Sequence, residues 1–234
     1  MQTLLLSLET SSPVCSVALH RMADGSLVGQ SELRLDKSHS THLTILIEQL
    51  LENTGHQLAN LAAVAVSDGP GSYTGLRIGA AAAKGLCFAL DIPLVAVSTL
   101  KALAAQVANG TARPENILFC PMLDARRQEV YAAVYTHDGE EVLAPTPLIL
   151  EADTLAEQLA QHSVLFFGHG AAKFQALLGE SANAGFLVGI EPSAIAVGQL
   201  GVAALHRQEF QDVAYYEPFY LKEVYTTTPR KQSL

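Results

Sequence analysis

The chain has 234 residues, 49% of them hydrophobic and 16% charged, and a formal net charge of -9. This composition excludes a disordered chain and provides a sizeable core, in one large domain or two compact halves. So acidic a surface repels a bare polyanion, which excludes unaided binding of DNA or tRNA over the surface as a whole. The acidity is uneven: seven Lys and Arg stand against eight Asp and Glu up to Pro114, and seven against fifteen beyond it. Cys15, Cys87 and Cys120 lie far apart in apolar stretches without metal-ligand spacing, which reads as buried thiols in a reducing compartment. No basic leader is visible, and the most apolar stretch, 78–97, is broken by Lys84, Asp91 and Pro93. The expectation is a soluble cytoplasmic protein without membrane contact.

Taken in chain order, the apolar runs at Thr3 to Leu8, Val14 to Leu19 and Ser26 to Leu35 predict three strands, with Ala23-Asp24-Gly25 turning between the last two. Leu43, Leu46, Ile47, Leu50 and Leu51 recur at helical spacing, and Asn53-Thr54-Gly55 ends that helix. A strand at Val64 to Val66, a Gly/Pro loop, a helix from Thr74 to Leu90 and a strand at Leu94 to Val97 follow; Ser98 or Thr99 caps a third helix. After the linker around Asn109-Gly110 and Pro114, the order recurs. Strands are predicted at Ile117 to Leu123, Glu129 to Tyr135, Glu141 to Leu150, Val164 to Phe167 and Phe186 to Val188. Helices are predicted at Ala152 to Gln161, Ala171 to Leu178 and Ser193 to Arg207. Each half thus reads β-β-β-α-β-α-β-α. Two such units make an α/β chain with the duplicated actin-like, ribonuclease-H-like (ASKHA) architecture. The predicted lobes are 1–113 and 114–225, the last helix packing back on the first lobe, with a flexible tail at 226–234.

Nucleotide-binding members of that architecture cradle phosphate on the first hairpin. Here its tip is Glu9-Thr10-Ser11-Ser12-Pro13, with Ser11 where glycine would allow close approach of backbone to phosphate. The string from Gly69 to Gly79, GPGSYTGLRIG, runs from a strand into a helix. Ser72 or Thr74 can cap that helix, whose free amides could meet an anion. It is not a Walker loop, because no Lys follows the last glycine. Candidate anion contacts are therefore Glu9, Thr10, Ser11, Gly69, Gly71, Ser72, Thr74 and Gly75, with Asp124 the symmetric counterpart of Glu9. The plain alternative is a tight strand-to-helix turn. His39 and His42 have a spacing that could share a metal, but without a third ligand they read as polar helix-entry residues. Between Leu76 and Leu90 only Arg77 and Lys84 are charged, so this helix needs cover on more than one face.

The string Gly69 to Gly79 resembles the TsaB (YeaZ) family of accessory proteins for threonylcarbamoyladenosine in tRNA. Leu8-Glu9-Thr10-Ser11, Val97-Ser98-Thr99-Leu100, the run from Asp124 to Tyr131 and Pro218-Phe219-Tyr220-Leu221 support the resemblance. It implies a non-catalytic scaffold, similar to the TsaD transferase, that binds TsaD through first-lobe helices and lets the ATPase TsaE dock. It implies that tRNA is held only indirectly; the same apolar helices could pair two copies in a homodimer when the chain is alone, competing with the heterodimer. The histidine pair of TsaD has three residues between its members. His39 and His42 have two, so no metal is carried over, and no cofactor is implied. The expected interface is Leu43, Leu46, Leu50, Arg77, Gly79, Ala80, Ala83 and Lys84, with Ala83→Glu expected to block association while sparing the fold. The competing reading is an ATP-dependent kinase or phosphatase using both hairpins, for which Glu9 and Asp124 are the best support. A protease reading finds no zinc site or nucleophile triad.

Overall fold

The computed structural model describes residues 3–35, 38–111 and 116–222. Strands β1 (Leu4–Glu9), β2 (Cys15–Arg21) and β3 (Leu27–Leu33) form a meander, followed by helix α1 (His39–Asn53) and a single 3-10 turn at Leu58–Asn60. Then come β4 (Leu61–Gly69), α2 (Tyr73–Leu90), β5 (Leu94–Ser98) and α3 (Thr99–Asn109). The second half gives β6 (Ile117–Asp124), β7 (Glu129–Tyr135), β8 (Glu141–Ile149), α4 (Ala156–Gln161), β9 (Ser163–Phe167), α5 (Ala171–Leu178), β10 (Ala184–Phe186) and α6 (Ala194–His206). The element order matches the sequence pattern. The larger differences are the four-residue later start of α4, an earlier start of α1, and β4, which extends well past Val64 to Val66 at both ends.

The sheets have strand orders β3-β2-β1-β4-β5 and β10-β9-β6-β7-β8. In each, the middle strand pairs antiparallel with the next strand in sequence and parallel with a strand reached through a helix. This is the duplicated actin-like fold. Alternation sorts the first sheet's side chains. Leu4, Leu6, Leu8, Val17, Val64 and Val66 pack under α1 and α2, whereas Leu5, Ala63, Ala65 and Val95 face α6. The inner stripe of α3, Leu100, Leu103 and Val107, packs on Phe119, Tyr135 and Phe167 of the second sheet. The layers therefore run α1 and α2, first sheet, α6 with α3, second sheet, α4 and α5. The last helix of the chain lies on the first sheet, where Gly201 lets it approach Ala65. The expected linker end at 113 and the tail at 226–234 lie outside the described residues.

Candidate functional site

The glycine turn sits where β4 hands over to α2. Ser72 caps the helix, its hydroxyl accepting from the Gly75 amide at 3.2 Å. The Ser72 and Gly75 amides and the Gly75 carbonyl at this end are bonded within the chain. Ser72 N–H donates to Ser11 O at 2.7 Å, and the Thr10 hydroxyl donates to Gly75 O at 2.8 Å. A Cβ at Gly75 would lie 2.0 Å from Thr10 O, one at Gly71 2.5 Å from Ser11 O, and one at Gly79 2.3 Å from Thr10 Oγ1. The glycines thus admit the hairpin tip against α2, not a phosphate. Gly69, at φ +113, is the position in this turn whose backbone conformation favours glycine, and it lies against Phe219 O.

Of the expected anion contacts, Glu9, Thr10 and Ser11 are buried, Thr10 and Ser11 against the start of α2. Ser72 and Thr74 remain exposed at the turn. Glu9 accepts from the Ser11 amide at 2.6 Å, and burial pushes its carboxyl above the usual carboxylate range. In the second half the turn before α5 packs instead on strand β6: the Gly170 amide donates to Met122 O at 2.9 Å, and a Cβ at Gly168 would meet Met122 O at 2.4 Å. Asp124 stands at the end of β6 as Glu9 does at the end of β1, but it is exposed. Lys173 donates to Asp124 at 2.8 Å and to Arg127 O at 2.6 Å, occupying the inner side of that hairpin, and the Asp124 carboxyl lies below its ordinary range. Although partial burial opposes it, the bonds from Lys173 and the Arg126 amide set that direction. His39 is buried and His42 Nδ1 lies 3.2 Å from Ser38 O; among the described residues no group of three or more His, Cys, Asp and Glu could hold a metal.

The outward face lies on α1 and α2. Leu43, Leu46, Leu50, Ala80 and Ala83 all belong to the first-lobe core, with Ala83 wholly buried, and Gly79 is spent on Thr10. They were expected to meet a second protein. They form the stripes that both helices turn to the sheet, which leaves little of their surface exposed. Lys84 is likewise engaged internally, donating to Ala214 O at 3.1 Å and Tyr216 O at 2.9 Å. Of the expected set, Arg77 stays exposed, hydrogen-bonded to Tyr73 OH at 2.8 Å with its guanidinium 5.5 Å from the ring centre. What α2 turns outward is Ala81, Gly85, Ala89 and Phe88, the last 85% exposed. Between this stripe and α1 runs a groove of about 760 Å³, floored by Ile47, Leu51 and Leu86 and rimmed by Glu48 and Glu52.

A strap, residues 211–222, borders the other flank of α2. It starts on the edge of β5, where the Gln211 amide donates to Leu94 O at 2.9 Å, and crosses Lys84 to the end of β4. There Tyr216 OH donates to Asp68 Oδ1 at 2.9 Å and the Phe219 amide to Asp68 O at 2.8 Å. Tyr220 then packs on Tyr73 with ring centres 5.0 Å apart, and Lys222 pairs with Glu129 of the second lobe. A second groove, about 530 Å³, opens between strap and helix beside Tyr73, Arg77 and Glu217. No spacing in the sequence marks the strap, because its bonds come from backbone carbonyls and from Asp68, which lies 148 residues before Tyr216.

Over 215 residues the chain is 32% identical to the tRNA threonylcarbamoyladenosine biosynthesis protein TsaB of Bacillus subtilis, covering 90% of this chain and 85% of that protein. The chain belongs to the TsaB family. The TsaB protein of Escherichia coli is 34% identical over 167 residues, 68% of this chain and 67% of its own. A family model described as TsaD, tRNA N6-adenosine threonylcarbamoyltransferase, matches residues 34–226. Among solved structures, YeaZ from Pseudomonas aeruginosa is 28% identical with a TM-score of 0.75, covering 94% of this chain and all of that one. A second structure, described as an uncharacterized Pseudomonas aeruginosa protein similar to peptidase YEAZ, reaches a TM-score of 0.80 at 29% identity, with the same coverage. No helix among the described residues is long and apolar enough to cross a membrane.

Proposed function

We propose that this chain is a non-catalytic subunit of the machinery that forms threonylcarbamoyladenosine in tRNA, and that it docks on the TsaD transferase through the outer faces of α1 and α2. The observation that carries the docking face is the uncovered stripe Ala81, Gly85 and Phe88 beside an apolar groove. Small residues let a second helix come close, and the groove floor offers apolar area to bury. Family membership supports the pathway. The non-catalytic role is supported by the two turns: the hairpin tip fills the start of α2, and Lys173 fills the second hairpin, so the kinase reading loses its phosphate seats. In this reading TsaE docks on the assembled pair, tRNA is held by TsaD, and the same face pairs two copies when the transferase is absent.

The test is to mix the purified chain with TsaD and follow complex size and tRNA modification. Gly85→Arg is the discriminating variant, because a Cβ there meets nothing within 4 Å and the fold has room for it. It is expected to stay folded and to weaken association at least about 100-fold, about 3 kcal/mol, by placing a charge in a close apolar contact. Ala83→Glu, by contrast, is expected to unfold the first lobe. A folded Gly85→Arg protein that binds TsaD as tightly as the parent would place the interface elsewhere.

A further inference from the structure

We infer that α6 is held on the first sheet by a proton-sensitive seat, in which the neutral imidazole of His20 lies against Gly198 and its protonation releases the helix. His20 projects from β2 toward α6 and has no exposed surface. Neither ring nitrogen has a hydrogen-bond partner among the described residues. The fit is tight: a Cβ at Gly198 would lie 2.2 Å from His20 Nδ1 and Cε1 and 2.8 Å from Ser7 Oγ. The helix above is apolar apart from Gln199 and His206. It is pinned at its start by Ala194 N–H donating to Ser16 Oγ at 3.0 Å and at its end by His206 Nε2–H donating to Met22 O at 3.0 Å.

An imidazolium in this seat would be a buried charge without a counter-ion. The charged or titratable groups on the packed elements are Glu9 on β1, Cys15 and Arg21 on β2, Glu32 on β3, Asp68 on β4, the exposed Lys101 on α3 and His206 on α6, with those of α1 across the sheet from α6. None offsets it. Glu9 is itself buried and biased toward its neutral form, Cys15 is pushed up to about 11, Arg21 is exposed, Glu32 pairs with Arg34, and Asp68 is tied to Tyr216. Burial alone acts on His20, lowering its proton affinity. The released state therefore binds one more proton than the seated state. Seating is complete above the free imidazole's range, about 6.5, and weakens as pH falls below it, approaching tenfold per pH unit until the seated group itself titrates. Because α6 and α3 share the layer between the two sheets, release loosens the join between the lobes.

Hydrogen exchange of the full chain, read in the 194–206 peptide and normalised for intrinsic rates, tests this. The opening constant is expected to be about tenfold larger at pH 5.5 than at pH 7.5. His20→Met, which keeps the volume but does not titrate, should flatten that response, and His206→Gln should keep it. Gly198→Ala should open α6 at every pH, and adding His20→Ala should close it again. A pH-independent α6 in the parent, an acid response retained in His20→Met, or equal acid opening of the 39–53 helix would each overturn the inference.

Discussion

At the scale of single residues, the Asp68 side chain is one anchor of the strap, beside the bonds from Gln211 and Lys84. Its carboxylate accepts from Tyr216 OH at 2.9 Å and from the Phe219 amide at 3.3 Å. Burial raises its pKa, and those two bonds only partly oppose the rise. The folded state therefore takes up this proton more readily than the unfolded chain does. The Asp68 contribution is largest in acid and diminishes as pH climbs from about 3.8 through the raised value. Asp68→Ala is expected to cost about 1–2 kcal/mol, because it strands the Tyr216 hydroxyl, while the Phe219 amide keeps its bond to the backbone carbonyl at position 68. Asp68→Asn, which keeps the acceptor, is expected within about 0.5 kcal/mol of the parent and without this pH dependence. Urea unfolding at pH 4 and pH 7 distinguishes the two. Nothing near Asp68 in sequence announced this role, whereas the neighbouring glycines were plain to see. Their purpose was not, since a glycine that admits a phosphate and one that admits Thr10 look the same in one dimension.

At the scale of elements, α2 has two unlike faces. The scarcity of charge from Leu76 to Leu90 leads to the expectation that this helix is covered on more than one side, but does not say which residues turn which way. Gly79, Ala80 and Ala83 looked like a docking stripe because they are small. They are small because β1, β4 and the hairpin tip come close. About half a turn of rotation about the helix axis separates them from Ala81, Gly85 and Phe88, which face outward. Gly85 in an exposed helix interior lowers helix stability by about 1 kcal/mol relative to Ala. Gly85→Ala is accordingly expected to raise the stability of the isolated chain by about that amount, seen as a higher thermal midpoint, while reducing affinity for TsaD if a helix crosses at that point.

At the scale of the whole molecule, α3 is the shared element, with Leu100 and Leu103 buried against the second sheet and Ala102 against the first-sheet layer. Leu103→Ala is expected to cost 2–5 kcal/mol, roughly the range for a buried leucine. It should lower one common unfolding transition, followed by tyrosine fluorescence and far-UV circular dichroism together. Two separated transitions would show lobes that unfold independently. In both halves a glycine of the strand-to-helix turn lies against backbone near the end of the middle strand, Gly71 on Ser11 beyond β1 and Gly170 on Met122 and Leu123 within β6.

The order of strands and helices, the duplication, the handover from β4 to α2 and the family resemblance were all legible in the sequence, because periodicity, turn residues and one long specific string are local signals. The tertiary structure alone decided which face of α2 is bare, that Thr10 and Ser11 are packed away, that Lys84 is bound to a strap, and that His20 lies under α6. Those facts depend on contacts between segments up to about 180 residues apart, and the spacing of residues along a chain carries no record of which distant backbone will fill the space beside them.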